Sequence, residues 1–240
     1  MTWSGVESGR RRLTRAEQPP RYLVPECREA IGVIHRDDDI LVINKPAFLL
    51  SVPGRAPENS DCVTRRLKQD YPDLRLVHRL DLDTSGLMVL ALHRRAQSNL
   101  SRAFQNRQVE KQYQAVVAGQ VAEDSGEVAL PLIADWPNRP KQKVCFETGK
   151  QSLTCWKVLS RDDNSSLLAL TPVTGRSHQL RIHMREIGHP ILGCDFYAPE
   201  AVLSAAPRLL LHATSLRFSH PLSGDMLTAH SPAPAAFYPS

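Results

Sequence analysis

The sequence has few cysteines and no long apolar run, and both absences narrow the class of protein. Its five cysteines, at positions 27, 62, 145, 155 and 194, are odd in number and form no C-x-x-C pair. They therefore predict neither a disulfide framework nor a zinc ribbon, and a reducing cytoplasm suits them best. No apolar run approaches the roughly 20 residues of a membrane span, and the N-terminus lacks the apolar centre of a secretory signal. We expect a cytoplasmic protein without a membrane segment.

The length and charge of the chain are those of a globular protein with an anionic partner. Its 240 residues, 42% of them hydrophobic, are enough for one large domain or two small ones. The formal net charge of +5 favours a partner such as nucleic acid, although proteins that bind nothing acidic also reach this value. Residues 1–30 are rich in Arg, Glu and Pro and lack apolar periodicity. We interpret them as a flexible extension and residues 31–240 as the folded domain.

The apolar pattern predicts more strands than helices. Two hairpins are indicated by "IGVIHRDDDILVINKP" and "SLTCWKVLSRDDNSSLLALTPV", and "GLMVLAL" predicts a buried strand. One helix is predicted in "HRRAQSNLSRAFQNRQ", where Ala96, Leu100 and Phe104 share a face. Another is predicted in "SHQLRIHMREIGHP", with Ser177 as its N-cap. These elements predict an α+β domain around a largely antiparallel sheet.

Charged residues stand at the start of the predicted buried strand, in "HRLDLDTSG". An aspartate before a sharp turn can be held by hydroxyl and backbone donors while its carboxylate faces a cleft. Asp81 and Asp83 are therefore both candidates for a catalytic carboxylate. The alternative is that Asp83, Thr84 and Ser85 form only a capped turn, which is the commoner role of such a sequence.

Two further groups have the chemistry to complete a site. Arg181, in "TGRSHQLRIH", lies on a predicted helix from which its guanidinium can hold a carboxylate in bidentate geometry; a solvated basic face is the alternative. Tyr113 shares a strand face with Lys111 and can stack on a base, although such a tyrosine is more often half-buried core. His178 and His183 are five apart, a poor spacing for chelation, and no H-E-x-x-H or H-x-H pattern occurs. No metal site is predicted.

The segment "ADWPNRPKQKVCFETGK" is the strongest local indication of RNA binding. It places Trp136 beside Arg139, Lys141 and Lys143, and so combines charge that attracts phosphate with a ring that can be exposed. The alternative is that Trp136 packs against the neighbouring prolines without any ligand.

Four of these stretches together resemble a known family. "LVINKPAFLLSVPG", "HRLDLDTSG", "KQYQAVV" and "TGRSHQLRIH" are similar, in this order, to the motifs of the RluA-type pseudouridine synthases, and the resemblance covers roughly residues 31–232. It implies the pseudouridine synthase fold, which is α+β with a mixed, mainly antiparallel central sheet flanked by helices and loops. It also implies isomerisation of uridine to pseudouridine without a cofactor. One departure is Phe48, which stands where the family pattern leads us to expect glycine.

The resemblance also implies roles for individual residues. Asp81 falls on the family's catalytic aspartate, Arg181 on the arginine that pairs with it, and Tyr113 on the tyrosine that stacks on the target uracil and helps remove the proton from carbon 5. Arg79 falls on the arginine that fills the stack vacated by the flipped base. Arg79 and Asp81 would then project to one side of the chain and Leu80 inward. The remaining residues expected to contact RNA are His78, Trp136, Arg139, Lys141, Lys143 and Arg176.

The basic segment is similar to that of the branch typified by a dual-specificity enzyme, which implies particular substrates. These are one uridine of a tRNA anticodon loop and one of a 23S rRNA loop, bound as stem-loops by a monomer. One alternative is a synthase of the same family that acts on a different rRNA or tRNA uridine. Others are a non-catalytic RNA-binding module, which leaves Asp81 without a purpose, and a nucleoside or glycoside hydrolase, which would release free uracil.

Overall fold

The computed structural model describes residues 24–238, which form an α+β fold, as predicted. The strands are β1 (Gly32–Arg36), β2 (Ile40–Lys45), β3 (Arg75–Leu76), β4 (Ser85–Ala91), β5 (Glu110–Ala118), β6 (Ser125–Ala129), β7 (Leu132–Ala134), β8 (Gln142–Val144), β9 (Leu153–Arg161), β10 (Ser165–Pro172), β11 (Leu211–Ser219) and β12 (Met226–His230). The α-helices are α1 (Val63–Leu67), α2 (Arg94–Gln105), α3 (Gln179–Glu186) and α4 (Glu200–Leu203). Single turns of 3-10 helix lie at Pro57–Asn59, Trp136–Asn138 and Ala235–Phe237.

Ten of these strands form one sheet, in the order β1-β2-β4-β11-β5-β10-β9-β6, with β3 on β4 and β12 on β11. The pairings are antiparallel except for β4 with β11. The predicted hairpins are β1–β2 and β9–β10, and both are confirmed. All seven residues of β4 are buried, which explains the unbroken apolar run of this strand.

Strand β11 brings two distant parts of the chain together. Its Ala213 is aligned with Gly86 on β4 and with Tyr113 on β5. Gly86 has a φ of +110°, and a Cβ at this position would lie 2.3 Å from the Ala213 carbonyl oxygen. Only glycine permits this close approach, so "TSG" is needed to pair β4 with β11. The loop before β4 therefore ends beside Tyr113.

Buried side chains form two main clusters, and the cavity described below lies near their junction. The first cluster includes residues of β2, β4, α1 and α2, and the second includes residues of β5, β9, β10 and α3. In α2, Ala96 and Leu100 are buried and Phe104 packs against the first cluster, as the helical periodicity predicts. Tyr113 packs against both clusters, so its ring is held between the two halves of the core.

Helix α3 begins one residue later than the sequence suggests. The predicted N-cap Ser177 is wrong, because His178 occupies that position with a φ of +54°. The side chain of Gln179 instead holds the turn that precedes the helix. Its Oε1 accepts hydrogen bonds from the Arg176 backbone N–H at 3.0 Å and from the Thr174 hydroxyl at 2.7 Å. The helix is buried from residue 179 to 184, so Arg181 does not lie on a solvated basic face.

Phe48 adopts the backbone conformation that a glycine would favour, with a φ of +59°. Its ring is half-buried against the first core cluster. The turn after Pro46 therefore has a left-handed residue even though phenylalanine replaces the expected glycine.

The predicted N-terminal extension, residues 1–30, falls largely outside the described residues. Residues 24–30 contact the domain: Cys27 is buried, its Sγ lies 3.4 Å from the Ala47 carbonyl oxygen, and Arg66 donates a 2.8 Å hydrogen bond to the Glu29 carbonyl. Between residues 24 and 238, no helix has the length and apolar character needed to cross a membrane.

Candidate active site

A cavity of about 550 Å³ opens where the loop before β4, strand β5 and the start of α3 meet. Six residues that the sequence analysis singled out line it, although they come from separate segments: His78, Arg79, Asp81, Tyr113, Arg176 and Arg181. Lys111 and His178 line it as well. The cavity therefore combines a carboxylate, a phenol and several cations, a composition suited to an anionic ligand.

Two polar side chains, Ser51 and Lys45, form hydrogen bonds with the backbone of the loop that carries Asp81. Ser51 Oγ donates to the Leu80 carbonyl at 2.7 Å and accepts from the Leu80 N–H at 3.2 Å. Lys45, fully buried at the end of β2, donates to the Leu82 carbonyl at 3.1 Å. Burial lowers the pKa of Lys45 to about 7, against the opposing effect of the Asp83 and Asp81 charges. The backbone on both sides of Asp81 is thus fixed.

Sequence reasoning missed Lys45 and Ser51. The available signal was a lysine at the end of the apolar run "ILVIN", directly before a proline. A lysine in such a place is costly unless its ammonium is hydrogen-bonded.

The structure distinguishes the two candidate aspartates. Asp81 lines the cavity, whereas Asp83 is not among its lining residues. Burial, with the negative charge of Asp195 beside it, raises the pKa of Asp83. Leu80 is buried and Arg79 is exposed, with its Nη2 3.4 Å from the Ser177 hydroxyl.

Arg181 has a different partner from the one expected. The predicted direct pair with Asp81 is wrong, since the buried guanidinium forms its ion pair with Asp195 and places Nε and Nη2 each 3.3 Å from Cys194 Sγ. The reason lies in the segment that follows α3. The chain turns at Gly193, which has a φ of +70°, and the next two residues, Cys194 and Asp195, contact the Arg181 guanidinium. Although burial opposes it, the combined effect of Cys194, Asp195 and Asp81 raises the pKa of Arg181.

Asp81 instead has His178 beside it. His178 Nε2 lies 3.9 Å from Asp81 Oδ2, and His178 Nδ1 lies 2.5 Å from the Tyr197 hydroxyl. The imidazole stacks on Phe196, with 5.6 Å between the ring centres. Burial lowers the pKa of His178, which keeps the ring neutral near pH 7. Sequence reasoning considered His178 only as a metal ligand and did not single out Tyr197.

Tyr113 presents its ring to the cavity from β5. Burial, helped by the nearby Asp81 charge, raises the pKa of Tyr113, so its phenol remains protonated at neutral pH. Lys111 lines the cavity two residues earlier, and burial lowers its pKa. The expected pairing of a tyrosine and a basic side chain on one strand face is therefore present.

His78 is engaged with the protein itself. Its Nε2 accepts a 3.0 Å hydrogen bond from the Val89 N–H, and its ring stacks on Phe104 at 4.5 Å between centres. Burial and the charge of Lys111 lower the pKa of His78 to about 3, so the ring is neutral. The structure thus gives His78 a role in fixing the start of the loop that carries Asp81, while its contact with RNA stays a prediction.

The four remaining predicted residues lie on the hairpin of β7 and β8, outside the lining of the cavity: Trp136, Arg139, Lys141 and Lys143. Trp136 is 67% exposed, with the Arg139 guanidinium carbon 3.7 Å from the centre of its ring, and its contact with RNA stays a prediction. Phe146, at the end of this hairpin, is 76% exposed and was missed. The hairpin offers rings and cations to solvent together.

A polar group lies at the opposite end of β2 from Lys45 and consists of Asp37, Asp39 and His220. One carboxylate oxygen of each aspartate and one ring nitrogen of the histidine lie within 4.8 Å of one another. His220 Nδ1 accepts backbone N–H groups of Leu222 and Ser223, which places the ring proton on Nε2, facing the two carboxylates. That nitrogen therefore has no free lone pair for a metal ion. The group ties the β1–β2 turn to the β11–β12 turn.

The sequence and the structure of this chain are similar to those of known RNA-modifying enzymes. The family model described as RNA pseudouridylate synthase matches residues 39–186. The chain is 50% identical over 209 residues, 87% of its length and 95% of the relative's, to the dual-specificity RNA pseudouridine synthase RluA of Pasteurella multocida. It is 54% identical over 193 residues, 80% of its length and 94% of the relative's, to the protein of the same name from Yersinia pestis. Its structure is similar to that of Human RNA Pseudouridylate Synthase Domain Containing 1, with a TM-score of 0.74, 28% identity and coverage of 87% of this chain and 85% of that one. The chain therefore belongs to the RNA pseudouridylate synthase family.

Proposed function

We propose that this pseudouridine synthase isomerises uridines in stem-loops of both tRNA and 23S rRNA, with Asp81 as its catalytic carboxylate. The observation that carries the assignment of Asp81 is its place in one cavity with Tyr113 and Arg181. Dual specificity is supported by the similarity to relatives that are named dual-specificity enzymes. The exposed rings and cations of the β7–β8 hairpin supply a surface for the surrounding RNA.

The reaction moves one bond and leaves the composition of the nucleoside unchanged, because the proton lost from carbon 5 is balanced by a proton gained at nitrogen 1. The bond from the sugar to nitrogen 1 of uracil breaks, the base turns, and carbon 5 becomes joined to the sugar while its proton is removed. An ionised carboxylate at Asp81 stabilises or traps the electron-poor centre formed when the first bond breaks. Arg181 is the buried cation near this carboxylate, and its raised pKa keeps it charged throughout.

Access to the uridine requires that the base leave its stack, at a cost of a few kcal/mol. The cavity of about 550 Å³ has room for one extruded base, and the ring of Tyr113 forms part of its wall. Arg79 lies exposed in the same cavity lining, where its guanidinium can occupy the space that the base vacates. Arg176 also lines the cavity and adds a cation for the phosphates beside the extruded nucleotide.

Residues 31–240 are the catalytic domain of this proposed enzyme, which acts as a monomer in the cytoplasm. The five cysteines are unpaired, which supports a reducing compartment. Residues 1–30 form an extension to this domain.

The test is release of tritium from transcripts labelled at uracil carbon 5. A tRNA anticodon stem-loop, a 23S rRNA fragment and an unrelated stem-loop are compared, with Asp81→Asn as the inactive variant. Asp83→Asn is the matched control, because Asp83 is outside the cavity lining. We expect release from the first two RNAs, lost in Asp81→Asn and retained in Asp83→Asn.

Other outcomes point elsewhere. Release that persists in Asp81→Asn removes this residue from the catalytic role. Release from only one of the two RNAs, or from a different RNA, reassigns the substrate. Free uracil as the product indicates hydrolysis, and binding without any release indicates an RNA-binding module.

A further inference from the structure

Resting on the proposed function, we infer that His178 is a positioning residue that orients the Asp81 carboxylate, and that Tyr197 fixes the tautomer in which His178 does so. His178 Nε2 faces Asp81 Oδ2 across 3.9 Å. Its other ring nitrogen, Nδ1, lies 2.5 Å from the Tyr197 hydroxyl, which in turn lies 2.9 Å from the backbone nitrogen of Gln142. A chain of polar contacts thus runs from the β7–β8 hairpin to the carboxylate.

The direction of each hydrogen bond follows from the donors available. The Gln142 N–H can only donate, so the Tyr197 oxygen accepts it. Burial raises the pKa of Tyr197 to about 12, so its hydroxyl keeps its proton and donates it to His178 Nδ1. A neutral imidazole that accepts at Nδ1 carries its own proton at Nε2. That proton points toward Asp81.

The gap of 3.9 Å is longer than a hydrogen bond. Contacts in an active site without substrate are often long and shorten in the complex with substrate. A shift of about 1 Å brings Nε2 within hydrogen-bond distance of the Asp81 carboxylate. Because the ring is neutral, it orients this carboxylate without adding a second positive charge beside Arg181.

The backbone and the neighbouring rings restrict the imidazole. His178 has a φ of +54°, a left-handed conformation that is uncommon for residues other than glycine and is found at functional sites. Its ring stacks on Phe196 and meets the edge of the Tyr197 ring, 5.5 Å away between centres. The side chain therefore has few alternative positions, as a positioning residue requires.

The same contacts connect the β7–β8 hairpin, which is proposed to bind RNA, to the imidazole that faces Asp81. Gln142 is the first residue of β8 and lies between Lys141 and Lys143, both proposed to contact RNA. The backbone of the proposed RNA-binding hairpin is therefore hydrogen-bonded to the side chain that holds His178.

The first measurement determines the tautomer by nitrogen-15 NMR of the full chain, labelled in histidine, without RNA. We expect the His178 ring proton on Nε2 in the wild type. Tyr197→Phe removes the donor to Nδ1 but keeps the ring over which the Arg181 and Arg185 guanidinium groups lie, so we expect it to shift the proton toward Nδ1. A wild-type proton on Nδ1, or a tautomer unaffected by Tyr197→Phe, overturns the inference.

The second measurement compares two substitutions of His178 by tritium release and RNA binding. Asparagine tolerates the left-handed backbone and can still accept from Tyr197, but it has no donor at the place of Nε2. Glutamine places its amide nitrogen near that position and can donate to Asp81. We expect His178→Asn to lower kcat by about 10-fold to 100-fold with little change in Kd or Tm, and His178→Gln to recover part of the loss.

Two kinetic results overturn the inference. One is unchanged turnover in His178→Asn, and the other is an equal loss in both variants, which indicates a structural role. Failure of the proposed function is distinguishable, because it appears as absent release by the wild type or as release that persists in Asp81→Asn. The NMR measurement requires no substrate and is independent of both.

Discussion

Replacing Arg181 by lysine keeps a positive charge in the core but removes the planar fork, and we expect the change to lower both stability and activity. The side chain is 1% exposed. Its Nε and Nη2 each contact Cys194 Sγ at 3.3 Å, and the guanidinium carbon lies 5.1 Å from the centre of the Phe196 ring. A lysine ammonium can retain the ion pair with Asp195, but it cannot keep these contacts as well.

The interactions that lysine cannot make set the size of the effect. A hydrogen bond to a charged group contributes about 1.5–3 kcal/mol, and a desolvated cation–π contact contributes up to about 2 kcal/mol. The Asp195 side chain is 34% exposed, so its retained ion pair contributes little to the difference. We expect Arg181→Lys to lower the free energy of unfolding by about 2–4 kcal/mol, which lowers Tm by about 4–16 °C in a domain of this size.

Urea and thermal unfolding measure the loss of stability, and tritium release measures activity on the folded variant. Arg185→Lys is the matched control on the same helix, since the Arg185 side chain is 38% exposed and pairs with Glu186 at the surface. Its guanidinium carbon lies 5.5 Å from the centre of the Tyr197 ring, but the side chain is partly exposed, so the change should lower the free energy of unfolding by no more than about 1 kcal/mol. If Arg181→Lys is as stable as Arg185→Lys, the buried fork does not stabilise the fold in the way described.

Three further predictions concern RNA binding, chemistry and pH. Replacing Lys141 and Lys143 by glutamine should lower the slope of log Kd against log salt by about 0.7–0.9 for each phosphate that the variant no longer binds, and an unchanged slope would assign the hairpin a structural role. Tyr113→Phe keeps the ring and removes the phenol, so Kd should change little while tritium release falls by about 100-fold or more; full release would leave Tyr113 with stacking alone. Because the pKa of Lys45 is lowered to about 7 in the fold, the folded chain binds fewer protons than the unfolded chain from that pH up to the ordinary lysine value. The free energy of unfolding, followed by urea titration, should therefore rise above pH 7 by up to about 1.4 kcal/mol per pH unit in the wild type but not in Lys45→Met, and the same slope in both would contradict this.

Most secondary-structure elements could be predicted because their signals are local. The hairpin of β9 and β10 follows from apolar runs around the turn "RDDN", and α2 follows from the spacing of Ala96, Leu100 and Phe104. The start of α3 could not be predicted in this way. Ser177 is a favoured N-cap residue, but the side chain of Gln179 bonds to Thr174 and moves the start of the helix.

Some residues of the site could likewise be predicted from local sequence, whereas others depend on contacts between distant segments. The stretch "HRLDLDTSG" by itself left Asp81 and Asp83 as equal candidates, and the resemblance to the family pointed to Asp81 and Arg79. The cavity separates the two aspartates, since Asp81 lines it and Asp83 does not. The partner of Arg181 was not accessible, since Cys194 and Asp195 reach it only after the chain turns at Gly193.

The amino-acid sequence alone was enough to identify the family motifs, most strands and helices and two candidate carboxylates, because those properties depend on residues close together in the chain. Tertiary structure was needed to place Lys45 beside the loop that carries Asp81 and to align His178 and Tyr197 with Asp81. These contacts join residues far apart in the chain, and their distances depend on how β4, β5 and β11 pair and on how α3 packs against the sheet. Hydrogen bonds and ion pairs change sharply with separations of about 1 Å, so only the packed fold decides which polar groups interact.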